Sequence, residues 1–81
     1  MAPHREIVVL SGRLTGMGRE ARCTLNAVKV SLPGTNISRF VRWRIHHAPS
    51  DLPEGQYRVT FEGETLAFQK RGGVWRTLDG R

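Results

Sequence analysis

Apolar and polar positions alternate most clearly in the last third of the chain, "QYRVTFEGETLAFQKRGGVWRTL", where two turn signals, Glu62-Gly63-Glu64 and Gly72-Gly73, separate runs rich in aromatic and β-branched residues. A period of two between such turns predicts strands, and three in succession predict an antiparallel meander over residues 55–79. A two-residue first turn fixes the register: Tyr57, Val59 and Phe61 share a face with Leu66 and Phe68, an apolar set fit for a core. The same pairing carried through Gly72-Gly73 sets Lys70 opposite Trp75. Trp75 and Thr77 then lie on the core face, Arg76 turns outward with Gln69, and Lys70 can rest against the Trp75 ring at the open end of the sheet.

The N-terminal half alternates as well. In "EIVVLSGRL" Val8, Leu10, Gly12 and Leu14 fall on one face, and Gly12 marks a bend, a bulge or a close approach of backbone. "TGMGRE" reads as a loop. "ARCTLNAVKVSL" begins with Cys23, Leu25 and Ala27 inward and then switches to Val28, Val30 and Leu32. A change of phase inside a strand predicts a bulge or sharp bend there, as strands of small barrels require. "PGTN" and "APSDLPEGQ" break the chain again, and residues 1–5 are expected to be loose.

Between those breaks lies "RFVRWRIHH", which fits two templates. As a strand, Val41, Trp43 and Ile45 point one way and Phe40, Arg42, Arg44 and His46 the other. As a helix, Ile37, Phe40, Val41, Ile45 and Ala48 form a stripe with Trp43 opposite it. Phe, Val, Trp and Ile between turn signals suit a pleated surface better than a short helix, so a strand is expected, with Trp43 buried. In either conformation the arginines leave together on one side, with Phe40 or Trp43 as an accompanying aromatic.

These elements predict an all-β single domain over residues 1–81: a small antiparallel barrel or curled sheet of five or six strands. The bend-bearing first strand, the second strand that changes phase and the closing meander resemble an OB-type barrel in layout, and "IVVLSGRL" resembles the first strand of some single-strand-binding OB domains. "APSDLPEG" is too short for the helix many OB domains carry at that point, so an SH3-like barrel stays open as an alternative.

Charge adds a functional reading. The net charge of +6 sits entirely in residues 1–50, where Arg5, Arg13, Arg19, Arg22, Lys29, Arg39, Arg42 and Arg44 face only Glu6 and Glu20; residues 51–81 are neutral. A one-signed field on part of a small domain attracts polyanions, nucleic acid first and acidic protein surfaces second. Fixed cations beside a flat ring are what single-stranded nucleic acid requires. The expected interface is therefore Arg13, Arg22, Lys29, Arg39, Phe40, Arg42, Arg44 and His46, binding DNA or RNA with little sequence preference. The rival reading is an interaction or inhibitor module that presents the same face to an acidic protein.

No enzyme is expected. His46 and His47 are adjacent, so on a strand they point to opposite faces and do not readily serve as one acid–base pair or chelate one metal. A toxin-like ribonuclease would need a second acid–base group, and none stands near in sequence. "GRLTGMGRE" lacks the ending of a phosphate-binding loop. Neither a cofactor nor a metal site is expected. The single cysteine, Cys23, fits a reducing compartment, and the chain holds no run of about 20 apolar residues and no secretory leader, so a cytoplasmic location away from membranes is expected. A sheet this small is also expected to cover an open edge by pairing with a copy of itself.

Overall fold

A computed structural model describes residues 3–78 of the chain. Among them lie six strands and no helix: β1 (His4–Gly16), β2 (Arg19–Ser31), β3 (Ser38–His47), β4 (Gly55–Phe61), β5 (Glu64–Arg71) and β6 (Val74–Thr77). All pair antiparallel in the order β3-β2-β1-β4-β5-β6, and the sheet curls until β3 approaches β6, a nearly closed barrel. The chain runs β1-β2-β3 as one meander, crosses back to the free side of β1, and runs β4-β5-β6 as a second.

Three of the connections are two-residue turns in which both residues take positive φ: Met17-Gly18, Glu62-Gly63 and Gly72-Gly73. That conformation matches the twist of the flanking strands, which is why it joins tight hairpins. The segment expected to be a loop, "TGMGRE", therefore contains only a turn, with β1 and β2 running up to it on both sides. β1 also begins at His4, inside the stretch expected to be loose, because His4 and Arg5 pair with Ser31 and Val30. Met1, Ala2 and Asp79 to Arg81 lie outside the described residues.

The meander register is the expected one. Tyr57 stands opposite Phe68, Val59 opposite Leu66 and Lys70 opposite Trp75. Tyr57, Val59, Phe61, Leu66 and Phe68 are buried, together with Leu14, Cys23, Leu25, Ala27, Trp43 and Leu52. Gly12 is a close approach rather than a bend, since a Cβ there would meet Val59 Cγ1 at 2.9 Å and Cys23 Sγ at 3.3 Å. Burial raises the Cys23 thiol pKa, which keeps the sulfur protonated as a small apolar core group.

Residues 31–47 differ from the sequence pattern in an instructive way. The strand reading of "RFVRWRIHH" holds and the helix is excluded, but the bulge expected inside β2 lies in β3. Ladder pairs step from Asn26–Arg44 to Val28–Val41 and from Thr24–His47 to Leu25–Ile45, so β3 carries an extra residue at each step. Arg42 adopts φ 58° at the first of these. The extra residue inverts the phase of the strand: Phe40 precedes the bulge on the core side, and Trp43 and Ile45 follow it on the same side. Phe40 and Trp43 then meet, ring centroids 5.8 Å apart, with Trp43 packed on Phe61 at 4.7 Å.

The segment between β3 and β4 is built rather than merely connecting. Leu52 enters the core, Tyr57 Oη donates to the Pro53 carbonyl, and Lys70 Nζ donates to the Leu52 and Ser50 carbonyls at 2.8 and 3.2 Å. The Lys70 ammonium also lies 5.9 Å from the centroid of the Trp75 ring. Glu54 accepts from the Gly72 and Gly73 amides, tying this segment to the β5–β6 turn.

Candidate nucleic-acid interface

Residues opposite each other in an antiparallel pair share a face, so the ladder fixes what lies together on the outside of β1, β2 and β3. Leu10–Leu25 and Val8–Ala27 point to the core side, which sends their neighbours outward. The outer face then reads in rows. Arg5, Val30 and Arg39 form one; Ile7, Val28 and Val41 the next; then Val9, Asn26 and Arg44; then Ser11, Thr24 and His47; and finally Arg13, Arg22 and, on β4, Thr60. Rows are spaced by about 6.7 Å and strands by about 4.8 Å. Cations therefore recur at every second row along one surface.

Most of them are not neutralised. Glu20, the acid on this face, is engaged by Arg13 at 2.9 Å, and Arg19 reaches Asp51 at 3.1 Å. The Arg19 guanidinium, through its hydrogen bond and its charge, lowers the Asp51 pKa. Among the described residues no ion pair engages Arg5, Arg22, Arg39, Arg42 or Arg44. The field anticipated from the sequence is thus concentrated on one side of one three-stranded unit.

A shallow, largely apolar hollow of about 660 Å³ crosses the lower rows of this face; Gly12, Cys23, Ala48 and Pro49 line it, and Ser11, Arg13, Arg22, Thr24, His47 and Thr60 supply its polar groups. Guanidinium and hydroxyl groups are donors suited to phosphate and sugar oxygens, and no carboxylate lines the hollow. His46 stands beside it, its Nδ1 3.3 Å from Thr24 Oγ1. The expectation that His46 and His47 diverge is corrected here: the second bulge brings their rings into edge contact, with centroids 4.2 Å apart. Among the described residues no group of three His, Cys, Asp or Glu side chains is placed to hold a metal ion.

Of the residues expected at the interface, Arg13, Arg22, Arg39 and Arg44 lie together on the outer face, and Arg42 and His46 are exposed at the two bulges beside it. Two lie elsewhere. Lys29 pairs across the strands with Glu6 and Phe40, in a row on the core side of the sheet, and Phe40 packs against Trp43. Among the described residues the face therefore holds no Phe, Tyr or Trp; its rings are the imidazoles of His47 and, beside it, His46, and its apolar groups are the aliphatic side chains of Ile7, Val9, Val28, Val30 and Val41. Sequence reasoning had not placed Arg5, Ser11, Thr24, His47 and Thr60 in the site, because only the register across four strands brings them to it. No family model, no curated protein and no solved structure matches the chain.

Proposed function

We propose that the chain is a non-enzymatic nucleic-acid-binding protein that holds the phosphate backbone on the outer face of β1, β2 and β3. The observation that carries this reading is the set of arginines that, among the described residues, are free of ion pairs, Arg5, Arg22, Arg39, Arg42 and Arg44, on or beside one surface that ends in a largely apolar hollow to which Arg13, Arg22 and three hydroxyl side chains contribute. Phosphate contacts supply affinity without sequence information, and Phe40 and Trp43 are turned to the core, leaving only the His46 and His47 imidazoles as rings at the face, so binding is chiefly electrostatic and weakly selective. The resemblance of the first strand to OB domains points the same way, because such barrels take oligonucleotides over their second and third strands. A free, buried Cys23 suits a reducing compartment, and we place the protein in the cytoplasm.

A second reading rests on one specific observation. Ile7, Val28 and Val41 form an aliphatic row, Ile7 being 79% exposed, flanked by arginines on either side. An apolar centre with an arginine rim is also the anatomy of a protein interface, and an acidic protein would suit it.

Fluorescence anisotropy with a random oligonucleotide of about 15 nucleotides separates the two, run over a salt series because counterion release makes binding strongest at low salt. Arg39→Ala with Arg44→Ala is expected to weaken binding and to reduce the slope of log K against log salt by about 1.4 for single strands. The control is Arg71→Ala with Arg76→Ala, around the barrel on β5 and β6; Arg58 is unsuitable, because it stands opposite Thr15 on the same outer face. An absence of binding at about 50 mM salt overturns the nucleic-acid reading. Equal loss in the control pair overturns the assignment of the face.

A further inference from the structure

β1 is paired along its whole length on one side only. Its ladder with β2 runs from His4 to Gly16, whereas its ladder with β4 covers only Arg13, Leu14 and Thr15. Among the described residues no other backbone or side-chain hydrogen bond reaches the β4 side of His4 to Gly12. Strands of 13 residues reach about 43 Å, so the far end of the β1–β2 hairpin projects beyond the barrel, in keeping with a molecule of 45 × 21 × 18 Å.

Exposed edges usually carry devices against pairing: charged side chains, above all lysine, a proline, a bulge or a very short strand. From His4 to Gly12 this edge has no proline, no lysine and no bulge; its charges are Arg5 and Glu6 near one end, and its centre displays Ile7 and Val9, the latter 57% exposed. It is also complementary to itself. Set antiparallel about a two-fold axis through Val8, the segment "HREIVVLSG" places Val8 opposite Val8 of the other copy, and Ile7 opposite Val9 on both sides of the axis. Arg5 then meets Ser11, and His4 meets Gly12. This register puts no like charges opposite each other, and it keeps both outer faces on one side of the joined sheet.

We propose that a second copy of this chain pairs along the open β1 edge in this register, forming a two-fold dimer with a continuous sheet. Ile7 and Val9 of the two copies close into one aliphatic cluster at the axis, and the arginine rows of the two protomers extend away from it on the same surface. The dimer requires no nucleic acid and stands apart from the binding reading. Its salt dependence has the opposite sign: each protomer carries +6, so screening their repulsion strengthens association, whereas salt weakens phosphate binding. The failure of either idea is thus recognisable without reference to the other.

The test is sedimentation velocity on the whole chain without nucleic acid, from about 5 to about 500 μM and at two salt concentrations, since self-association follows protein concentration. The expected mass rises toward twice the 9.1 kDa of the chain, at lower protein concentration in the higher salt. Val9→Lys, at a side chain exposed in the protomer, is expected to weaken association by about tenfold or more with an unchanged thermal midpoint, and Val74→Lys on β6 to leave it intact. Register is read separately by mild oxidation. Val8→Cys is expected to cross-link, since Cα atoms opposite each other lie about 4.5–5.5 Å apart, within disulfide range. Glu6→Cys, opposite Leu10, is expected not to cross-link, nor is the wild type with its buried Cys23. A chain that stays monomeric throughout, a dimer indifferent to Val9→Lys, or cross-linking by Glu6→Cys in preference to Val8→Cys overturns the proposal.

Discussion

Replacing Lys70 by Met asks whether the segment between β3 and β4 is held by one buried ammonium. Lys70 is 9% exposed, and its Nζ donates to the Leu52 carbonyl at 2.8 Å and the Ser50 carbonyl at 3.2 Å. Methionine keeps most of the stem and its packing against Trp75, so the change isolates the head group. A hydrogen bond from a charged donor contributes about 1.5–3 kcal/mol, and the Leu52 carbonyl, in a buried setting, is left without its partner. Water can replace the bond to Ser50, an exposed residue, so that loss is below about 1 kcal/mol. Relief of the desolvated ammonium returns on the order of 1 kcal/mol. The net cost is roughly 2 kcal/mol.

For a domain of this length that figure corresponds to a fall in thermal midpoint of about 8–16 °C. Circular dichroism on heating measures it, and limited proteolysis reports whether cleavage in residues 48–54 rises in the variant before global unfolding. A fall of less than about 3 °C, with no added cleavage there, refutes the reasoning: the two carbonyls would then be satisfied without Lys70, and the segment would owe its position to Leu52 and Tyr57.

Other substitutions probe other links. Gly12→Ala forces a Cβ to 2.9 Å from Val59 in the filled core and is expected to cost about 1–3 kcal/mol by urea denaturation, without moving any charge. Arg42→Gly relieves a left-handed conformation worth about 1–2 kcal/mol and adds chain entropy of about 0.5–1 kcal/mol to the unfolded state. Stability should hold or rise by up to about 1.5 kcal/mol while nucleic-acid affinity falls, a split that calorimetry and anisotropy read independently. The Gly72 and Gly73 amides lower the Glu54 pKa. A depressed folded pKa means the contribution is complete above the unfolded value of about 4.3 and is lost as pH falls through the folded one. Thermal midpoints should therefore drop on acidification below about pH 4.3, and Glu54→Gln should flatten that drop while leaving the neutral-pH profile parallel to the wild type.

The C-terminal half of the fold was legible because it is a chain of local rules. Two-residue turns fix register, register fixes faces, and the aromatic and branched residues of β4 and β5 fill one face without interruption. The same rules located Trp75 against Lys70. They did not foresee the burial of the Lys70 head, because its partners are main-chain carbonyls 18 and 20 residues earlier, in a segment whose prolines and glycine read only as a break. Leu52 was missed for the same reason: one apolar residue in a loop carries no periodicity.

The limit in the first half is of another kind, and it decided the site. The change of phase in "ARCTLNAVKVSL" was a true signal of irregular pairing, yet a bulge belongs to a pair of strands, and one sequence cannot say which member holds the extra residue. Placing it in β2 leaves β3 alternating, and puts Phe40 outside with Arg42, Arg44 and His46. Placing it in β3 turns Phe40 inward onto Trp43, frees Arg42 into a left-handed conformation and brings two histidines together. A single shifted residue thus separates an aromatic platform for bases from an aliphatic face rimmed by arginines. The charge survives the shift because arginines stay solvated in either register, whereas the ring is drawn to the core. That asymmetry is why the function we propose for this face rests on phosphate contact rather than on base stacking by Phe40.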